Sequence, residues 1–485
     1  MSTTLILVAL IVFAFGVSRV LHRYAERVAM VSGIEYVVVG VLIGPMMPWG
    51  LVGDDTLTSL GLLINLLLGL LGFMVGLHAR DALRRFEHFL AGSLSALVVC
   101  ATVTLACLGL IQWLEPTYIA DESPVLAVPV FADESRLYQL WASGEALWLA
   151  LTLGAAAAVA SSTAITAAAE RWRAEGPPVV LLRDLAAAGQ VLAVLIFGLA
   201  LAGDRAVEAA DGYGLSLAEW AMLIAFAGGL TGLLFTIFIG GAEDDLRLYV
   251  ATIGVVIFAA GIGDALGVSP LFVNLMAGLV VAATSAHGDR LRINLAQLKH
   301  PNAILLLVFA GLSWSPVSGW AWLIPATYMA VRIAARLLAT RWAVSTFTHG
   351  VEFRRLGPGL VGQGPLAAAI ALSYAQDHPP ETGAIVLTAV LVPMLLSDLF
   401  AVRALRRVLA NAGAIRPRPK LSERGSEGEV LLAHNQPHPI ASVLAASSHA
   451  GSPVAFDEDS TVVGPGPEAR TDAASGPERA EEAHP

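Results

Sequence analysis

PPVVLLRDLAAAGQVLAVLIFGLALAG, residues 177–203, decides the fold class. Apart from Arg183 and Asp184 the stretch is long and apolar enough to cross a bilayer, which takes about 20 residues of helix. A charged side chain at the centre of such a helix costs roughly 2.5–3.5 kcal/mol on insertion scales. Asp184 is therefore expected to face a cavity or a partner and to act on an ion or a proton. Neighbours on a helix point about 100° apart. Arg183 and Asp184 should then meet different partners rather than each other.

The rest of the chain agrees with a membrane setting. Of 485 residues, 56% are hydrophobic and only 14% charged, and mean hydropathy is +0.70. Soluble domains carry roughly a quarter charged residues, so a soluble globular class is excluded. Cys100 and Cys107 fall in one apolar segment and lack metal-ligand spacing, which makes them core residues. The net charge of -10 is gathered in the C-terminal stretch and in a loop near 115–145, so it says little about partners. The first apolar run, residues 3–23, has no basic segment before it and no small-residue cleavage site after it. It is expected to be the first spanning helix rather than a signal peptide.

Apolar windows predict an all-α polytopic protein with about thirteen transmembrane helices. Their approximate limits are 3–20, 30–51, 58–78, 88–113, 146–170, 178–202, 216–240, 246–265, 268–285, 301–315, 318–342, 356–376 and 381–404. Basic residues alternate between loops. One set holds Arg19, Arg23, Arg27, Arg80, Arg84, Arg85, Arg171, Arg173, Arg247, Arg290, Arg292, Lys299, Arg341, Arg354 and Arg355. The other holds Arg136 and Arg205. The positive-inside rule puts the first set in the cytoplasm, the N-terminus outside and the C-terminal tail inside. Residues 1–408 form the membrane domain. Residues 409–485, rich in Gly, Pro, Ser, Glu and Ala, are expected to be a disordered cytoplasmic tail. No HExxH, Walker A or nucleophile elbow is present, and the C-terminal stretch holds no GxGxxG, so the chain is expected not to be an enzyme and to need no cofactor.

Two stretches break the apolar pattern. SSTAITAAAE (161–170) lies in the fifth window and GPGLVGQGPLAAA (357–369) in the twelfth. If the seventh helix links two six-helix halves, these are the fifth helix of each half, and the halves start from opposite sides. Inverted repeats of this kind place broken helices near the midplane, where helix ends and free carbonyls meet an ion. The alternative is that Ser, Thr and Gly serve close helix packing. The matched positions favour a site. A carboxylate at the depth of Asp184 holds a proton or a desolvated cation, but not both. Arg332 and Arg336 lie one turn apart on the eleventh helix. Arg336 is expected to snorkel toward the end of its helix, and Arg332 to balance charge in the cavity. Glu35, Asp264, Asn274 and Asp398 are weaker candidates. His22, His78, His88 and His349 sit in basic loops and are expected to be solvated.

These segments resemble the monovalent cation/proton antiporter superfamily, in its sodium- or potassium-proton exchanger, potassium-efflux-like branch. The resemblance covers about residues 1–408. IEYVVVGVLIGPM (34–46) is similar to the family's second helix, and GLLINLLLGLLGFMVGLHARDALR (61–84) to its third. SSTA (161–164) resembles the broken fifth helix, LLRDLAA (181–187) the ion-binding sixth, and GVSPLFVNLMAGLVVA (267–282) the glycine–x–serine segment. The resemblance implies exchange of Na+ or K+ for H+ in the inner or plasma membrane by alternating access, and a homodimer. It makes Asp184 the essential acid and transient cation ligand, and Arg332 the basic residue of the eleventh helix. Ser161, Ser162, Thr163 and Gln363 would supply oxygen ligands, and Arg183 would line the same cavity. Two departures stand out. Arg183 replaces the usual Asn, Asp or Gln before the acid, and Gly364–Pro365 replaces the Gly–Glu of potassium-efflux members. Arg183 keeps two other readings open: a transport-inactive sensory scaffold, and a cation-coupled organic anion symporter.

Overall fold

The computed structural model describes residues 33–47, 57, 59–114, 145–208, 216–239, 245–285, 288–317, 319–348 and 356–415. The expected first helix, the loop near 115–145, the tail from 416 on, and His22 and His349 lie outside them. Residues 409–415, expected in the disordered tail, are described, because α13 runs on to Asn411 and Ala414 O accepts from Glu175 N. The described helices are α1 (Ile34–Ile43), α2 (Gly61–Arg84), α3 (Phe86–Leu114), α4 (Glu145–Ala158), α5 (Ser162–Trp172), α6 (Pro177–Glu208) and α7 (Leu217–Ile239). They continue with α8 (Asp245–Ala265), α9 (Pro270–Thr284), α10 (Gly288–Leu312), α11 (Leu323–Phe347), α12 (Pro365–Asp377) and α13 (Pro380–Asn411). Short 3-10 turns, Gly319–Trp322 and Gly357–Leu360, precede α11 and α12. Among the described residues, nine helices are each long and apolar enough to cross a membrane. α4 and α5 together occupy one of these spans.

The breaks have local causes. α4 stops at Ala158, and α5 starts behind an extended Ser161 whose hydroxyl accepts from Ala164 N at 3.1 Å. That is an N-cap, which satisfies one of the free amides at a helix start. In the twelfth segment Gly364 is extended and Pro365 opens α12, where its missing N–H is not needed. α9 begins the same way, with a Ser269 cap followed by Pro270. Elsewhere the windows misjudge ends. α10 starts at Gly288, well before its apolar window, because backbone bonding runs on through the polar stretch DRLRINLAQLK. α11 runs on to Phe347 and α13 to Asn411.

The helix pairs that pack together support two repeats. α2 packs on α9, and exchanging the halves turns that pair into α10 on α1, which is also seen. α6 on α3 becomes α13 on α11, and α3 on α11 maps onto itself. The α2–α9 contact is close because Gly72 and Gly278 lie directly against the backbone carbonyls of Leu271 and Phe73. Any side chain there would separate the helices, as expected where small residues drive packing in a bilayer.

Candidate ion-translocation site

The two interrupted helices meet. Ser161 N donates to Gly362 O at 3.0 Å, so the non-helical stretches 159–161 and 361–364 cross. The C-terminal carbonyls of α4 have no helical partners and carry partial negative charge. α11 supplies the counter-charge. Arg332 donates to Ala157 O (3.2 Å), Val159 O (3.1 Å) and Val361 O (2.7 Å). Arg336 donates to Ala157 O (2.9 Å) and Ala158 O (2.6 Å). Both arginines are buried, at 1% and 2% exposure. Arg336 therefore does not snorkel. α11 extends eleven residues past it, to Phe347, which puts it well inside the bundle.

Hydroxyls and amides complete the crossing. Gln363 Nε2 donates to the Tyr328 hydroxyl at 2.6 Å, and Ser161 Oγ lies 2.9 Å from Thr163 Oγ1. From α6, Gln190 Nε2 donates to Ala160 O (2.9 Å) and Ser162 Oγ (3.1 Å). Beside the crossing is a cavity of about 10 Å³ lined by Ser161, Ala164, Gly359, Gly362 and Asp398. That is room for about one water-sized particle. Asp398 is buried and lies within electrostatic reach of Arg332.

Asp184 is elsewhere. It is buried, but it bonds neither to the crossing nor to Arg332. A single Arg85 nitrogen, Nη1, donates to both of its oxygens at 3.0 and 2.8 Å, and His88 Nδ1 stands 2.7 Å from Oδ2. Six residues separate Asp184 from Gln190, roughly 9 Å along the axis. Asp184 thus lies toward the arginine-rich end of the bundle, on the α6 face that meets α3, where Gly92 sits against Leu185 and Ala188. The expectation that it shares a cavity with Ser161, Ser162, Thr163, Arg332 and Gln363 is corrected: those five gather at the crossing, and Asp184 stands outside it. Arg183 is exposed, and the helical turn sets it about 100° from Asp184. His88 is not a free loop side chain, and His78 is fixed by Met74 O at 2.7 Å.

Sequence reasoning missed Gln190, Arg85 and His88. Gln190 was visible as a lone amide in an apolar run. Arg85 and His88 looked like members of a basic loop, and nothing local ties them to a residue almost a hundred positions away.

No family profile matches the chain, and no curated protein sequence does. Solved structures do match. The sodium–proton antiporter MjNhaP1 of Methanocaldococcus jannaschii, determined at pH 8, superposes with a TM-score of 0.58 at 14% identity. The match covers 84% of this chain and 99% of that one. An electron-microscopy structure of the same antiporter gives 0.57 at 13% identity, covering 86% and 100%. The chain shares the fold of that sodium–proton antiporter. In this chain α6 packs on α4 and α5, and α4 on α11 and α12, so the crossing and its backing arginines share one helix cluster.

Proposed function

We propose that the chain is a multi-pass membrane transporter exchanging a monovalent cation, Na+ or K+, for protons by alternating access. The observation that carries this reading is the crossing of two interrupted helices beside an acid-bearing α6, within an antiporter fold. The arginine-rich end is assigned to the cytoplasm, with the N-terminus outside. The exposed apolar residues of α7 and α8, among them Met222, Phe226, Ile237, Val250 and Phe258, suit contact with lipid or with the second copy of a homodimer.

Asp184 is the carboxylate that exchanges proton for cation at the cytoplasmic mouth. In the state described, Arg85 and His88 occupy it. Arg85 is 51% exposed, and ion pairs this open contribute only about 0–1 kcal/mol. An arriving cation can therefore displace Arg85 at little cost. His88 Nδ1 stands against the same oxygen, so a cation that binds there displaces this contact as well. The oxygens of Ser161, Ser162, Thr163, Gln190 and Gln363 form the next station inward. There Arg332 and Arg336 neutralise the helix ends.

The test is proton flux in inverted vesicles or proteoliposomes holding a pH gradient. Adding Na+, K+ or Li+ should collapse the gradient with wild type, and the order of responses gives the ion. No cation-dependent flux with any of the three contradicts the reading. A second reading, cation-coupled uptake of an organic anion, is favoured by the two buried arginines of α11, of which Arg332 lies within electrostatic reach of the buried Asp398. It predicts cation uptake that depends on the anion and not on the pH gradient.

A further inference from the structure

Asp204 lies twenty residues beyond Asp184 on α6, roughly 30 Å along the axis and at the far end of the bundle. Its partner is His378, which follows α12 directly. His378 Nε2 stands 2.7 Å from Asp204 Oδ2, and Nδ1 stands 2.8 Å from Tyr374 O. The imidazole is fixed by stacking on Tyr374, with centroids 3.7 Å apart and planes 11° from parallel. Both side chains are largely buried, at 11% and 7% exposure. Asp204 Oδ1 is also buried and has no hydrogen-bond partner.

This geometry counts protons. A backbone carbonyl only accepts, and so does an ionised carboxylate. Both ring nitrogens face such oxygens at hydrogen-bond length. A neutral imidazole carries one N–H and satisfies only one of the two contacts. The arrangement is complete when a second proton is present, on the ring or on the carboxyl group. At the other end of α6, His88 has a hydrogen bond to Asp184 through Nδ1, and that single contact makes no such demand.

We propose that His378 and Asp204 form a proton-binding site at the far mouth of the core, where the exchanged proton is held on that side of the membrane. Its transport role rests on the exchanger reading; its existence does not. The surrounding charges are Asp377 on the same segment, Arg205 on α6 and Asp264 at the end of α8, where Asn65 of α2 donates to Asp264. Glu381 opens α13. Arg205 Nε is committed to Gly267 O at 3.1 Å. Burial pulls the His378 imidazole down, but the hydrogen bond and charge of Asp204 and the Tyr374 carbonyl outweigh it and hold the group above its ordinary 6.5. A raised histidine pKa fixes the sign. The tie between α6 and α12 is complete below the ordinary value and is lost as pH rises through the raised one.

The experiment is a histidine titration of the full chain in nanodiscs, by 15N NMR or infrared difference spectroscopy, on wild type, His378→Gln and Asp204→Asn. We expect one imidazole that titrates above the free value, is absent in His378→Gln, and falls in Asp204→Asn. The same variants in proteoliposomes should shift the exchange profile against pH on the far side only. An imidazole titrating at or below the free value, or one indifferent to Asp204→Asn, overturns the proposal. Wild type without cation-dependent flux would instead remove the exchanger reading, and the titration would still decide whether the proton site exists.

Discussion

The crossing and the arginine-rich mouth of α6 both set arginine against negative charge, with different materials. At the crossing, Arg332 and Arg336 are buried and bonded to backbone carbonyls that no rotamer change can withdraw. At the mouth, Arg85 is half-exposed and bonded to a side chain that can turn away. The crossing is thus a permanent part of the scaffold, and the mouth is a contact that can open. The proposed exchange cycle would use both: a rigid core to rock, and a labile carboxylate to load.

That contrast can be broken by mutation. The largest effect is expected for Arg332→Ala, which removes a buried cation that donates to Ala157 O, Val159 O and Val361 O and leaves only the first two within reach of Arg336. Removing one partner from a buried charged network costs about 3–5 kcal/mol. The variant should lose its folded form on heating well before wild type, as seen by intrinsic fluorescence in detergent. A wild-type melting temperature would show the crossing to be less essential than its burial implies. Gln190→Ala comes next. Losing its amide contacts to Ala160 O and Ser162 Oγ should cost about 1 kcal/mol, and the same melting experiment reads it. Arg85→Gln is the smallest, under about 1 kcal/mol by the exposure of its pair. It should nonetheless lower the cation concentration giving half-maximal proton flux, because the competitor for Asp184 is gone. A raised half-maximal concentration would mean that Arg85 assists loading instead of opposing it.

The same contrast explains what the sequence made legible. The breaks are written locally. Ser161 caps, Gly364–Pro365 cannot continue a helix, and both lie at matching positions of two halves. Arg332 was placed in the core because a charge in mid-helix must face inward. Arg336 was misplaced because the end of α11 was set five residues too early, at 342 instead of Phe347. Asp184 was recognised, but its partners were not. Its depth depends on where α6 starts, and its neighbours on how α2 and α3 turn at Arg85. Arg183, the main sequence departure, is exposed one position round the helix from Asp184.

The most direct measurement is cation-driven proton flux in proteoliposomes, comparing wild type with Asp184→Asn at matched protein density and matched melting temperature. The account predicts flux with wild type and none above empty liposomes with Asp184→Asn. Equal flux in the two would contradict it and leave the carboxylate as part of a surface latch with Arg85 and His88.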